Sequence, residues 1–173
     1  MSRIAIDMDE VIADASRQMS TWYERDFNRR IEAEHLRGKH LSDAVPPEHK
    51  SHVLNYPHTH GFFKDLQVMP GSQEVLYKLS QRHEIFIASA AMEFKTSLVH
   101  KVEWLGVHFP FISWKNIVFC GDKSIINADF LIDDHVRNFN GFRGQGILFS
   151  APHNFNEVWP HRVNSWYEVE DLF

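Results

Sequence analysis

The chain has 173 residues, 43% of them apolar and 24% charged, enough for one domain, or one domain with a sizeable insertion, around a real core. A formal charge of −5 and the lack of any basic run interleaved with aromatics argue against a binder of nucleic-acid polymers. The single cysteine, Cys120, excludes an internal disulfide and a multi-cysteine zinc site. With no apolar stretch of membrane-spanning length and no room for a signal peptide before the first strand, the expected location is the cytoplasm and no membrane partner is expected.

The first element is a short apolar run, Ile4-Ala5-Ile6, that ends in two carboxylates, Asp7 and Asp9. Such a run reads as a buried parallel strand, and ligands of open α/β sheets sit at the carboxyl ends of their strands. Apolar residues then recur every three or four positions (Val11, Ile12, Met19, Trp22, Tyr23, Phe27), which predicts a helix over residues 12–28. Residues 29–61 are polar, histidine-rich and broken by Gly38, Pro46, Pro47 and Pro57, with short helices expected over 31–36 and 48–55. Gly61-Phe62-Phe63 interrupts this region with adjacent aromatics. Neighbours in a helix or strand rarely share a face, so one of the pair is free to line a pocket. Pro70-Gly71 marks a turn, and Ser72 is placed to cap a helix running to about residue 82.

From there the rhythm is regular. Strands are expected over 84–88, 117–120, 130–132 and 146–149, with helices over 95–109 (Leu98, Val102 and Leu105 inward) and 166–173. This alternation predicts an α/β fold, a Rossmann-like and mainly parallel sheet flanked by helices. The long stretch before residue 70 breaks the alternation and reads as a small helical cap inserted after the first strand. The core domain is then 1–15 with 71–173, and the cap 16–70.

Each apolar strand ends in a different polar group: Asp7 and Asp9, then Ser89, then Lys123 just past its strand, then Asp133 and Asp134. On adjacent parallel strands these groups converge, and converged they suit phosphoryl transfer through a covalent aspartyl-phosphate. Asp7 is the candidate nucleophile and Asp9 the acid toward the departing oxygen. Asp7, Asp133 and the Asp9 carbonyl offer hard oxygen ligands to Mg²⁺, the expected cofactor, since clustered carboxylates repel one another without a cation. Ser89 and Lys123 supply donors to the phosphate oxygens.

This ordered set resembles the haloacid dehalogenase superfamily. More narrowly, Asp7-Met-Asp-Glu-Val-Ile-Ala-Asp14, Lys123 ten residues ahead of Asp133, the Ala128-Asp-Phe-Leu-Ile-Asp-Asp134 run, and Gly61-Phe62-Phe63 before Pro70-Gly71 resemble the 5′(3′)-deoxyribonucleotidases. The resemblance implies Mg²⁺-dependent dephosphorylation of a small-molecule nucleotide substrate, a deoxyribonucleoside monophosphate. It also implies that Asp134 supports the metal ligands from behind and that Phe62 and Phe63 stack on the base. The chain departs from the family pattern at two places: Glu10 stands where many members have Gly, and Ala90-Ala91 where they often have Ser-Pro. Glu10 is therefore a candidate residue of the substrate pocket.

Taken singly, each motif has a duller reading: a solvated turn for Asp133-Asp134, a helix cap for Ser89, an exposed lysine for Lys123. A phosphatase of another small metabolite, or a non-catalytic nucleotide-binding protein, would share the scaffold. His35, His40, His49, His52, His58 and His60 read as surface or cap structure, Asp14 as an ordinary hydrogen-bonding residue, and Trp104, Trp114, Trp159 and Trp166 as packing residues.

Overall fold

The computed structural model describes residues 1–173. Its centre is a six-stranded sheet in which every pairing is parallel, built from β1 (Arg3–Ile6), β4 (Glu84–Ser89), β5 (Ile117–Phe119), β6 (Phe130–Asp133), β7 (Gln145–Phe149) and β8 (Arg162–Val163), with β2 and β3 described below. The order is β5-β4-β1-β6-β7-β8, so β1 lies between β4 and β6. Ile4, Ala5 and Ile6 are fully buried, as a continuous apolar run between two parallel neighbours must be. Helices α4 (Ser72–Ser80), α5 (Ser97–His108) and α6 (Trp166–Glu170) pack around the sheet.

The element order agrees with the pattern reading, and the differences are local. The first helix, α1, spans Ala15–Phe27 because residues 8–13 turn back on themselves, with the Ile12 and Ala13 amides both bonded to the Met8 carbonyl. Asp14 then caps the helix by accepting from the Arg17 amide at 2.9 Å. Ser72 is not a cap: it is the first residue of α4, its hydroxyl donates to the Met69 carbonyl, and Gly71 precedes it with φ of 80°. Helix α5 turns a different face inward from the one expected, burying Ser97, His100, Lys101, Trp104 and Leu105 while Val102 stays exposed.

Between β1 and α4 the chain forms α1, a one-turn α2 (Leu41–Ala44) and α3 (Pro47–Leu54), with 3₁₀ turns between them. This segment leaves and returns through a two-stranded antiparallel ribbon, β2 (Ala13–Asp14) with β3 (Gln67–Val68), too short to read from sequence. Two tryptophans fix its ends. Trp166 donates to the Val11 carbonyl at 2.7 Å, and Trp104 to the Leu66 carbonyl at 2.8 Å. Both are buried, Trp159 packs on Phe139, but Trp114 is 78% exposed and packs no core.

Candidate active site

The sheet order brings the candidate groups together. β1 and β6 are neighbours, so Asp7 and Asp133 leave adjacent strands at the same edge, and the Asp7 amide extends the ladder by donating to the Ile132 carbonyl. Lys123, from the turn after β5, reaches between them and donates to both carboxylates while almost wholly buried. Burial opposes a charged ammonium, but the two carboxylates outweigh it and hold Lys123 above its ordinary range. Burial likewise pushes Asp7 up to about 7; Lys123 works against the rise, and Asp133 and Asp9 add to it.

Asp133 is the most rigidly held of the acids. Its Oδ1 accepts from the His135 amide at 2.9 Å and the Asn138 side chain at 2.8 Å, and its Oδ2 from Asn138 at 3.0 Å. Asp134 lies beside it, fully buried; burial first, then the charges of Asp7 and Asp133, raise it well above the carboxylate range. The Asp134 backbone carbonyl is held by the Asn154 side chain at 2.8 Å. Carboxylate oxygens of Asp7, Asp133 and Asp134 lie within 4.8 Å of one another, a compact set of hard ligands.

Asp9 projects from the turn after β1. Its Oδ2 accepts from Lys101 at 2.5 Å, and its Oδ1 has no partner. The same ammonium donates to the Ser89 hydroxyl at 3.0 Å and stands 4.7 Å over the Phe63 ring. Lys101 is thus a member of the site that the sequence reading missed. The available signal was spacing: Ser97, Lys101, Trp104 and Leu105 fall on one helical face, and a lysine on an otherwise inward stripe needs a buried partner.

A cavity opens beside this cleft, lined by Met19, Phe62, Phe63 and Phe94 together with Glu10, His40, His135 and His153. Phe62 and Phe63 are both buried, with rings edge to face at 4.9 Å, because they lie in turns where strand or helix alternation does not apply. His40 stacks on His153 at 4.7 Å, so it belongs to this cavity and not merely to the surface. Burial pushes both His135 and His153 down to about 4, leaving them uncharged at neutral pH. His49 bonds the Tyr23 hydroxyl, His52 bonds Asp26, and His58 and His60 are exposed, as surface or structural histidines should be.

Glu10 is 7% exposed and adopts φ of 62°, a left-handed conformation unusual for a residue with a side chain. Its Oε1 accepts from the Ser16 amide at 2.5 Å, and its Oε2 has no partner. Burial pushes it up to about 7, against the pull of the Ser16 bond.

The parallel sheet with four chemical motifs at its carboxyl edge is the arrangement of haloacid dehalogenase-type hydrolases. A Bacillus subtilis protein provisionally named a HAD-hydrolase, solved bound to magnesium, superposes with a TM-score of 0.60 at 13% identity, over 99% of this chain and 97% of that one. The family model of the 5′ nucleotidase, deoxy (pyrimidine), cytosolic type C proteins matches residues 1–173, and the chain belongs to that family. It is accordingly a phosphoric monoester hydrolase of the 5′-nucleotidase type. Among relatives, a Staphylococcus epidermidis protein provisionally named 5′(3′)-deoxyribonucleotidase is 43% identical over 99% of this chain and 95% of its own length. The 5′(3′)-deoxyribonucleotidase of Bacillus subtilis strain 168 is 38% identical over 96% of this chain and 95% of its own. No helix is long and apolar enough to cross a membrane.

Proposed function

We propose that this protein hydrolyses deoxyribonucleoside monophosphates through an aspartyl-phosphate on Asp7, with Mg²⁺ as cofactor. The observation that carries the reading is the convergence of Asp7, Asp9, Ser89, Lys101, Lys123 and Asp133 at one sheet edge, next to a cavity walled by aromatic rings. An Asp7 oxygen attacks phosphorus, and the bond from phosphorus to the sugar oxygen breaks. Asp9 gives the departing oxygen a proton, for which its unpartnered Oδ1 is free while Lys101 steadies Oδ2. Asp9 then takes a proton from water as that water attacks phosphorus and the bond to Asp7 breaks, restoring Asp7 as a carboxylate and Asp9 as a protonated carboxyl group. Ser89, Lys101 and Lys123 meet the charge on the phosphate oxygens.

Mg²⁺ would be held by Asp7, Asp133 and the Asp9 carbonyl, with Asp134 behind them, and the buried all-oxygen donor set fits such a hard cation. Bound there, it supplies positive charge that polarises the phosphoryl group and offsets repulsion among the acids. Residues 16–70 act as a cap that encloses the nucleoside, with Phe62 and Phe63 against the base and the core domain formed by 1–15 and 71–173. A site enclosed in this way takes a small phosphorylated molecule and not a polymer, and the cytoplasm is where such a nucleotide would be met.

The test is phosphate release from 5′- and 3′-nucleoside monophosphates, deoxy and ribo, and from sugar phosphates, with Mg²⁺ or with a chelator, beside Asp7→Asn. Mg²⁺-dependent release that is strongest on deoxynucleotides and lost in the variant is expected. Release only from other phosphates would overturn the substrate assignment, and release that survives Asp7→Asn would overturn the mechanism.

A further inference from the structure

Glu10 combines three features that packing alone does not require. Its backbone is left-handed, where glycine would sit without strain and a residue with a side chain is strained. One carboxyl oxygen is fixed by the first turn of α1 through the Ser16 amide. The other, Oε2, is buried without a partner in a residue that lines the aromatic cavity. A buried acceptor left empty is destabilising, and one kept beside a substrate cavity is positioned for a donor carried by the substrate.

Chain geometry narrows which donor that is. Glu10 directly follows Asp9, and both line the same cavity. On the nucleotidase reading the departing oxygen would meet Asp9, which would leave the sugar as the part of the nucleotide next to Glu10 and the base toward the aromatic residues of the same cavity. A deoxyribose esterified at one position keeps one free hydroxyl. A hydroxyl can both donate and accept, so it suits a carboxyl group in either protonation state. Resting on the nucleotidase reading above, we infer that Glu10 is a specificity residue whose Oε2 bonds the free 3′-hydroxyl of a deoxyribonucleoside 5′-monophosphate while Oε1 remains on Ser16.

The experiment compares kcat/KM for a 2′-deoxynucleoside 5′-monophosphate and its 2′,3′-dideoxy analogue in wild type, Glu10→Gln and Glu10→Gly. The wild type should favour the deoxy substrate by about 10- to 100-fold, the range of a hydrogen bond to a charged or buried partner. In Glu10→Gly, which relieves the left-handed strain, the preference should shrink to about threefold or less, chiefly through loss on the deoxy substrate. Glu10→Gln keeps an oxygen for the Ser16 amide and offers an NH₂ group to the hydroxyl, so an intermediate preference is expected. A purely structural tether would lower both substrates equally in Glu10→Gly and leave their ratio intact; that result overturns the inference and leaves the nucleotidase assignment standing. Wild-type protein that hydrolyses sugar phosphates but neither nucleotide overturns the nucleotidase reading, and the inference with it.

Discussion

The sheet edge and the helical segment facing it are built on opposite electrostatic terms. At the sheet edge, Asp7, Asp133 and Asp134 are buried together, and Lys123 is the ammonium set between two of them. Across the cleft, the segment between β2 and β3 presents Met19, Leu36, Phe62 and Phe63 to the cavity, and keeps its ion pairs, such as Arg25 with Asp26 and Lys50 with Asp43, on its outer surface. Charge in a dry site is strong but costly to desolvate, whereas apolar burial is cheap and unspecific. The first region is therefore organised to act on charge, and the second to hold a body of the right shape. Substitutions should divide accordingly: at the edge activity falls and stability survives, and on the facing wall both fall together.

The sharpest break of that contrast is Asp7→Asn. Phosphate release should fall by about 10⁴-fold or more, as losses of a covalent nucleophile do. The midpoint of thermal unfolding should hold or rise, because the amide keeps the volume, removes one acid from a crowded buried cluster and leaves Lys123 paired with Asp133. A large drop in the midpoint would mean that the cluster is a stabilising ion network and not a catalytic one.

Phe63→Ala probes the other side. Phe63 is 2% exposed, packed on Phe62 and Phe94 and under the Lys101 ammonium. Its truncation should destabilise the fold by about 3–5 kcal/mol, the usual range for a buried phenylalanine. KM for nucleotide should rise as well. Chemical denaturation and steady-state kinetics on the same preparation check both. An increased KM with unchanged stability would mark the ring as a ligand platform that the core does not need.

Lys101 sits where the two regions meet, and it shows how far the sequence could be read. Asp7, Asp9, Ser89, Lys123 and Asp133 were legible because each follows an apolar strand, and parallel pairing brings strand ends together. Lys101 had no such flag. It lies within a helix whose apolar residues Leu98, Val102 and Leu105 suggested a face rotated from the one that Ser97, Trp104 and Leu105 bury. His40, His135 and His153 were hidden for another reason: they come from three distant places in the chain and meet only after folding. The β2–β3 ribbon is two residues a side, below what any periodicity can reveal. Lys101→Met, which keeps the stem across Phe63 and removes the ammonium, should lower kcat/KM by about 10²- to 10³-fold, as loss of a preorganised donor does. Lys95→Met, at an exposed position on the approach to the same helix, should change little.

The smallest effect belongs to the outer face of the helical segment. Hydrogen bonds from Arg25, first, and from His52 hold Asp26 below the ordinary carboxylate range, against the opposing effect of burial. A carboxyl group whose folded pKa is depressed contributes stability that is present above its unfolded pKa, about 3.9, and is lost as pH falls toward the folded value. Arg25 is more than half exposed, so solvent screens the pair and the contribution is about 0.5–1 kcal/mol. Asp26→Asn should therefore unfold more easily than wild type by that amount between pH 5 and 7. The gap should close progressively below about pH 4, where Asp26 of the unfolded chain takes up its proton. Denaturation midpoints for both proteins across that range, read with phosphate release at pH 7, complete the comparison. A stability gap with unchanged turnover keeps charge on this segment structural. A loss of turnover without a stability gap would mean that the outer ion pairs also govern how the segment sits over the sheet edge.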